Sequence, residues 1–255
     1  MFKFGYIIPI HEKNELVFRA LKSAMQFEDT LICISTNKKI ADWIDENKGD
    51  LQFEQVAYST NEDTSYPHLV NMGIESLKDK VEFISILEFD DVVSSTAHDA
   101  IVPYLENMEA HIYLPLGAMV TEDSSIEENK FTMVAMLNEA PFAAGVADEY
   151  GVLDFNMLLK ANFAFVNGAY FKPEAFEKWG KFKENFKYLS DYELILRHVY
   201  EGAEIKSVPK LARFHYKREE GAFEQQKKLS HEDREYWVTT AKKEYMFQED
   251  RELKK

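Results

Sequence analysis

The chain of 255 residues carries 45 Asp and Glu against 30 Lys and Arg, a formal net charge of −15, and 45% of it is hydrophobic. This composition is typical of a globular chain with a sizeable core and excludes a disordered one. The excess of acid disfavours a broad nucleic-acid or anionic-membrane surface, because phosphate binding needs clustered Lys and Arg.

Cysteine usage and hydropathy bear on the compartment. Cys33 is the only cysteine, which excludes an internal disulfide and a cysteine zinc site and fits a reducing environment. No apolar run approaches the roughly 20 residues that cross a bilayer. The amino terminus starts on strand-like sequence without the charged, apolar and cleavage regions of a signal peptide. We therefore predict a cytoplasmic protein without a membrane span, and its oligomeric state stays open.

The first ninety residues alternate between short apolar runs and segments with helical spacing. The predicted strands are residues 4–10, 31–35, 52–58 and 81–89, and the predicted helices are residues 15–26, 39–46 and 67–77. Alternation of this kind predicts a mostly parallel α/β sheet with right-handed crossovers and flanking helices.

The second half of the sequence is less regular. We predict strands at 112–114, 163–167, 204–208 and 212–216, and a helix at 191–201 that ends at Gly202. Residues 121–130 read as an acidic loop, and residues 133–147 are ambiguous. The charged segment 219–255 is predicted to be a helical extension packed on a domain of residues 1–218. Its packing residues would be Phe223, Leu229, Tyr236, Trp237 and Tyr245.

The apolar run that starts at Ile84 ends abruptly in three carboxylates, Glu88, Asp90 and Asp91. Open α/β sheets bind ligands at the carboxyl ends of their strands. Clustered carboxylates repel each other unless a cation lies between them, and hard oxygen ligands near a nucleotide indicate Mg²⁺ or Mn²⁺. Taken alone, such a motif is more often a solvated acidic turn.

Several segments, in this order, resemble glycosyltransferase family 2, the inverting nucleotide-sugar enzymes with the GT-A fold. Residues 6–14 resemble the opening strand and loop of that family. Residues 23–26 resemble its Ser-Leu-x-x-Gln, 71–74 its Asn-x-Gly, 87–91 its Asp-x-Asp-Asp, 190–197 its Glu-Asp-Tyr-Asp-Leu-x-x-Arg and 202–205 its Gly-x-x-Ile. Their order and spacing over residues 4–218 carry the resemblance.

The resemblance implies a GT-A-like, Rossmann-like fold and metal-dependent, inverting transfer of a sugar from a nucleoside-diphosphate sugar to an acceptor hydroxyl. A divalent ion, Mn²⁺ or Mg²⁺, would stabilise the charge that builds on the departing pyrophosphate. The resemblance makes Asp90 the principal metal ligand, with Asp91 and His215 as further ligands. Glu88 lies where the family's first Asp contacts ribose or metal-bound water.

The resemblance also implies a nucleoside pocket above the first two strands. Ser35 stands where the family often has a base-binding Asp, so the donor base is left open. A basic residue after the last strand would neutralise phosphate. The predicted donor-binding residues are Pro9, His11, Glu12, Ser35, Asn71, Glu88, Lys217 and Arg218. An exposed loop histidine is the competing interpretation of His11, and a polar cluster at a strand end is that of His215.

Asp191 is the predicted catalytic base, again from the resemblance. Ser190 and Glu193 also have the spacing of a capping box, which would explain this segment without catalysis. The two interpretations are compatible. The helix dipole would keep Asp191 ionised, and the carboxylate need only accept the proton of the acceptor hydroxyl.

Two other classes compete with this interpretation. A nucleotidyltransferase shares the sheet and the metal chemistry, but residues 9–15 lack the glycines of its phosphate loop. A non-catalytic nucleotide-sugar or glycan-binding protein of the same fold stays open, because Glu88 and Ser190 depart from the family pattern. The acceptor would be a glycan or a small molecule, and less readily a modified nucleic-acid base. Trp179 resembles an acceptor-stacking position, although a plain core role is favoured.

Overall fold

A computed structural model describes residues 1–139, 152–162, 164–218, 228–243 and 245 of the chain. Its strands are β1 (Phe2–Pro9), β2 (Thr30–Thr36), β3 (Val56–Thr60), β4 (Val81–Ile86), β5 (Val92–Val93), β6 (Ile112–Val120), β7 (Met133–Leu137), β8 (Tyr170–Phe171) and β9 (Ile205–Tyr216). Its helices are α1 (Leu16–Met25), α2 (Lys38–Asn47), α3 (Tyr66–Leu77), α4 (Ala97–Asn107), α5 (Phe155–Lys160), α6 (Pro173–Trp179), α7 (Ser190–Tyr200) and α8 (His231–Lys242).

Within these residues the strands form one mixed sheet in the order β3-β2-β1-β4-β8-β6-β9-β5, with β7 paired to β6. The long pairings are parallel: β3 with β2, β2 with β1, β1 with β4, and β6 with β9. The short strands β5, β7 and β8 pair antiparallel. The predicted α/β class, with a mostly parallel sheet and flanking helices, is confirmed.

β1 lies in the middle of the first half of the sheet and is buried on both faces. Phe4, Tyr6 and Ile8 enter one hydrophobic cluster and Ile7 enters another, because successive side chains of a strand point to opposite faces. Helices α1, α2 and α4 cover the first cluster, and helices α3, α6 and α7 cover the second. At Gly73 a Cβ would lie 2.4 Å from Cγ2 of Ile7, so this glycine lets α3 pack directly on β1.

The two short strands predicted at 204–208 and 212–216 are one continuous strand, β9. Its register with β6 shifts so that Pro115 pairs with Val208 and Leu116 pairs with Leu211. The two residues skipped by this bulge are Pro209 and Lys210. A proline that lacks an N–H is tolerated at such a bulge, which is why the prediction of a break at this point was wrong.

The strand predicted at 163–167 is also not formed in its described part, residues 164–167, apart from an isolated bridge between Asn167 and Ile86. Residue 163 and residues 140–147 of the ambiguous segment lie outside the described residues. The segment 133–137, which the sequence left open, is strand β7.

In the carboxyl-terminal segment, helix α8 packs on the core through Trp237, whose ring centroid lies 5.6 Å from that of Phe186. Tyr245 is buried against Tyr200, as predicted, whereas Tyr236 is 62% exposed. Phe223 lies outside the described residues. No described helix combines the length and the apolar character that a membrane span needs.

Candidate functional site

The acidic residues after β4 meet the end of β9 at one edge of the sheet. β5 begins directly after Asp91, and its Val92 pairs with Phe214 of β9. This pairing places Asp91 beside Arg213 and His215, the two residues on either side of Phe214 in β9. The predicted acids and the predicted late histidine, 124 positions apart in sequence, therefore lie in one cluster.

Asp91 is fully buried, and protein groups occupy both of its carboxylate oxygens. Oδ1 lies 2.9 Å from Nδ1 of His215, and Oδ2 accepts from Asn167 Nδ2 at 2.6 Å and from Arg213 Nη1 at 3.3 Å. Burial by itself raises the pKa of Asp91, but His215 and Arg213 outweigh it and hold that pKa below its usual value. We therefore assign Asp91 to the support of the site and not to the metal ligands that the sequence predicted.

His215 is positioned by that carboxylate. Burial disfavours the charged imidazole, yet Asp91 raises the pKa of His215 above its ordinary value. Because the ionised Asp91 can only accept a hydrogen bond, Nδ1 donates to it, and Nε2 is the ring nitrogen that this bond does not use.

Arg213 is 3% exposed and lies against the backbone of Gly168. A Cβ at Gly168 would lie 2.2 Å from Cδ of Arg213, and φ there is +76°. Glycine at this position permits the close approach of a side chain to the backbone. The close approach is that of Arg213, which brings a permanent cation under the acidic residues.

Asp90 is paired with Arg218, whose Nη1 lies 2.9 Å from Oδ2, and its backbone carbonyl accepts from Arg19 at 2.8 Å. Burial is the main cause that raises the pKa of Asp90, and repulsion by Asp91 adds to it, while Arg218 opposes both. The predicted phosphate-binding Arg218 thus lies within the acidic cluster. Lys217 beside it is exposed.

Glu88 and Asp191 are linked by Tyr66, the first residue of α3. The Tyr66 hydroxyl donates a hydrogen bond to Glu88, and the charges of Asp191 and Arg213 also act on this hydroxyl. Burial, followed by repulsion from Asp90 and Asp91, raises the pKa of Glu88 to about 8. The predicted base Asp191 and the predicted acid Glu88 therefore act on the same tyrosine hydroxyl, and we call the region around that hydroxyl and the acidic cluster the cleft. Sequence reasoning missed Tyr66, and its place just ahead of the Asn-x-Gly segment was the available signal.

The start of α7 differs from the predicted capping box. Leu189 occupies the N-cap with φ 58° and no side-chain cap bond, and Ser190 is the first helical residue. Glu193 bonds instead to Arg197 at 3.0 Å and Lys183 at 2.8 Å, because two cations compete successfully for its carboxylate. Burial raises the pKa of Asp191, and the backbone N–H groups of this first turn partly oppose that rise.

The predicted donor residues near β1 and β2 lie together. Pro9 and Ser35 are register partners at the carboxyl ends of these parallel strands, and both are buried. His11 and Glu12 are exposed on the loop that follows, and the His11 ring lies 5.3 Å from that of Phe89, between Glu88 and Asp90 in the chain.

Asn71 does not face this cleft. Its amide nitrogen donates to the backbone carbonyl of Phe182 and to Glu184, both at 2.9 Å, and its oxygen accepts from the Phe182 N–H at 3.0 Å. We therefore propose that Asn71 anchors the loop that contains Phe182 and Glu184 to α3, and that it does not bind the donor. Trp179 is buried and donates to the carbonyl of Glu201, which agrees with the core role.

The chemistry of a divalent ion can be tested against these side chains. In the described part of the chain, no group of three or more His, Cys, Asp or Glu side chains is placed to hold a metal. Burial is the main cause of the raised pKa values of Glu88 and Asp90, and repulsion by the neighbouring acids adds to it, so a cation near these hard oxygen donors would be favourable. Mg²⁺ commonly binds one or two carboxylates and completes its shell with phosphate and water. Glu88 and Asp90 fit an ion of that kind.

The strand order and the flanking helices define a GT-A-like fold. S. aureus TarS 1–349 in complex with UDP-GlcNAc is similar, with a TM-score of 0.63 and 12% identity over 94% of this chain and 66% of that chain. The same fragment with UDP gives 0.58 and 10% over 94% and 70%. S. aureus TarS gives 0.59 and 10% identity over 94% of this chain, which spans 42% of TarS.

At these identities the likeness shows the fold alone. No protein-family model and no curated protein sequence matches the chain. The resemblance to glycosyltransferase family 2 therefore stays a prediction beyond the fold.

Proposed function

We propose that the protein transfers a sugar from a nucleoside-diphosphate sugar to an acceptor hydroxyl with inversion. The observation that supports the proposal is that Glu88 and Asp191 both act on the hydroxyl of Tyr66, with Arg213 acting on the same hydroxyl and Arg218 paired with the neighbouring Asp90. The GT-A-like fold supports it, since a solved structure of this fold holds UDP-GlcNAc. That structure is longer than this chain, so the comparison does not extend to its remaining third.

Asp191 has the properties of a general base for this reaction. Its carboxylate accepts the proton of the acceptor hydroxyl as the acceptor oxygen bonds to the anomeric carbon. The bond from that carbon to the diphosphate oxygen breaks on the opposite face, and the diphosphate leaves with the electron pair. Because burial raises the pKa of Asp191, the carboxylate is a stronger base than an exposed Asp.

The leaving diphosphate needs positive charge at the opposite side of the cleft. Arg218 and His215 supply it, and Arg213 keeps Asp91 ionised so that His215 stays oriented. A Mn²⁺ or Mg²⁺ ion held by Asp90 and Glu88 would add Lewis-acid stabilisation of the diphosphate. Pro9, His11, Glu12, Ser35 and Lys217 are the residues proposed to bind the nucleoside and its phosphates.

A panel of UDP-, GDP-, CMP- and dTDP-sugars, with and without Mn²⁺, tests the proposal by thermal unfolding and then by donor hydrolysis. A matching donor at a hundred times its Kd adds about 2.7 kcal/mol to the free energy of unfolding. Asp191→Asn should keep this stabilisation and lose turnover, and Asp90→Ala should lose the part that depends on Mn²⁺. The proposal fails if no nucleotide sugar stabilises the chain.

A non-catalytic nucleotide-sugar or glycan-binding protein is the second candidate. One observation favours it: Arg218 already occupies Oδ2 of Asp90, the oxygen that a catalytic ion would approach. Donor binding without turnover, unchanged by Asp191→Asn, would select this candidate.

A further inference from the structure

A small cavity lies between α5, the start of α7 and α8, outside the cleft described above. It has a volume of about 240 Å³, and Leu189 and Tyr192 contribute to its wall. In the chain, these two residues lie on either side of Ser190 and Asp191. Pockets for drug-sized ligands measure roughly 300–1,000 Å³, so this smaller cavity has room for one sugar-sized group.

The described residues that line the cavity carry one sign of charge. Lys160, Arg234 and Lys242 lie in its wall, and no acidic side chain does. This bias is unexpected in a chain where acids outnumber bases by 45 to 30. A wall of this composition attracts an anion, because a single-sign surface in a concave site raises the local concentration of the opposite charge.

Among the described residues, no carboxylate pairs with Lys160 or Lys242. Lys160 contacts the sulfur of Met157, and Lys242 lies over the ring of Tyr192, 5.9 Å from its centre. Burial lowers the pKa of Lys242, which shows that the protein bears part of the cost of holding this cation here. An exposed lysine that only ends a helix would not carry that cost.

The remaining wall suits the carbon skeleton of a sugar. Trp237 of α8 is half-buried in the cavity wall, where its ring is held by Phe186 and Tyr188. A fixed aromatic ring of this kind packs on the apolar face of a sugar. The side-chain oxygen of Asn162, also in the wall, is buried without a hydrogen-bond partner. It is therefore an acceptor available to a hydroxyl group.

We infer that this cavity binds an anionic sugar, with a phosphate or carboxylate held by Lys160 and Lys242 and the ring held by Trp237. Resting on the proposed function, this makes the acceptor a negatively charged saccharide that reaches Asp191 past the first turn of α7. The inference also accounts for the binding of an acidic acceptor by an acidic chain, since Lys160, Arg234 and Lys242 are concentrated in the wall of this cavity.

Fluorescence of Trp237 tests the inference in the full chain with the donor cleft filled by UDP. Glucose 6-phosphate, glucuronate and glucose are the probes, and a Trp237→Phe variant identifies the signal. We expect saturable quenching by one or both charged sugars, and at least tenfold weaker binding of glucose. The stronger of the two charged probes shows whether phosphate or carboxylate is the bound group.

The double variant Lys160→Ala/Lys242→Ala should weaken binding of the charged probe at least tenfold. Lys38→Ala/Lys39→Ala, on the exposed side of α2, is the matched control and should leave it unchanged. Equal binding of glucose, or an unchanged affinity in the cavity variant, overturns the inference.

The binding experiments with nucleotide sugars and with charged sugars together separate this inference from the proposed function. If nucleotide sugars stabilise the chain and no charged sugar quenches Trp237, the cavity assignment fails alone. If a charged sugar binds while no nucleotide sugar does, the acceptor role fails and only an anion site is left.

Discussion

Nδ1 of His215 lies 2.9 Å from Oδ1 of Asp91, and the other oxygen of that carboxylate is bonded to Arg213. One buried acid thus fixes the orientation of two cations of the cleft. Removing the charge of Asp91 should be far more costly than removing an exposed acid, because it leaves buried cations without a partner.

Asp91→Asn is therefore expected to lower the free energy of unfolding by about 3 kcal/mol, measured by urea denaturation at neutral pH. Asp42→Asn, which breaks an exposed pair with Lys38 on α2, is the matched control and should cost under about 1 kcal/mol. Equal losses in the two variants would contradict the supporting role of Asp91.

Tyr66→Phe should slow sugar transfer while the chain stays folded. The ring keeps its packing on Phe182, whereas the hydrogen bond to Glu88 is lost. Because a pKa of about 8 leaves Glu88 mostly protonated at neutral pH, this is a bond between neutral groups, which contributes about 0.5–1.5 kcal/mol, and kcat/KM should fall roughly 2- to 10-fold. Tyr58→Phe removes a comparable bond to the exposed Asp45 and should leave transfer unchanged. A normal rate in Tyr66→Phe would remove this residue from the site.

Gly168→Ala should destabilise the chain well beyond the cost of its backbone conformation. A methyl group at this position would meet Cδ of Arg213 at 2.2 Å, so the guanidinium must shift from Asp91. Gly49→Ala is the control, since φ is +57° there and no atom lies within 4 Å of the added carbon. The control should lose about 1–2 kcal/mol from the left-handed backbone alone. A loss at Gly168 no larger than this would show that Arg213 moves freely.

Two buried histidines should make the stability depend on pH. Burial lowers the pKa of His198 to about 3 and that of His98 to about 4, below the 6.5 of the unfolded chain. Between these values the unfolded state binds more protons, so stability is present above pH 6.5 and is lost as the pH falls. Each histidine should remove about 2 kcal/mol between pH 7 and pH 5.

Urea denaturation at the two pH values measures this loss. His198→Leu should reduce the difference between them by about 2 kcal/mol, although it also removes the bond from Nε2 to the carbonyl of Gly180 at 2.8 Å. A pH dependence that is unaffected in this variant would assign the loss to other groups.

The first half of the fold was predictable because its strands and helices have strong, regular periodicity over short distances. The predicted order of strand and helix from residue 4 to residue 89 is confirmed, with boundaries shifted by a few residues. Helix α4 escaped prediction since Pro103 lies inside it. β9 was divided in two because the sequence cannot show that a neighbouring strand accommodates Pro209 by a bulge.

The clustering of the acidic residues was predictable from the sequence, whereas the role of each acid was less so. Glu88, Asp90 and Asp91 stand together in the sequence, so their clustering needed only a strand end. The partners of these acids come from elsewhere in the chain: Tyr66 from α3, and Arg213 and Arg218 from the far end. Local patterns also misassigned Glu193, whose capping role was displaced by Lys183 and Arg197.

The distance in sequence between Asp91 and its cations has a consequence for folding. The loop after β4 cannot bury an ionised Asp91 until β9 has docked beside β5, since the compensating charges arrive with residues 213–215. During synthesis we therefore expect Asp91 to stay exposed to water until β9 has been made. Docking of β9 beside β5 and burial of the ionised Asp91 are therefore coupled, and a chain that ends before Arg213 lacks the cations that compensate this acid.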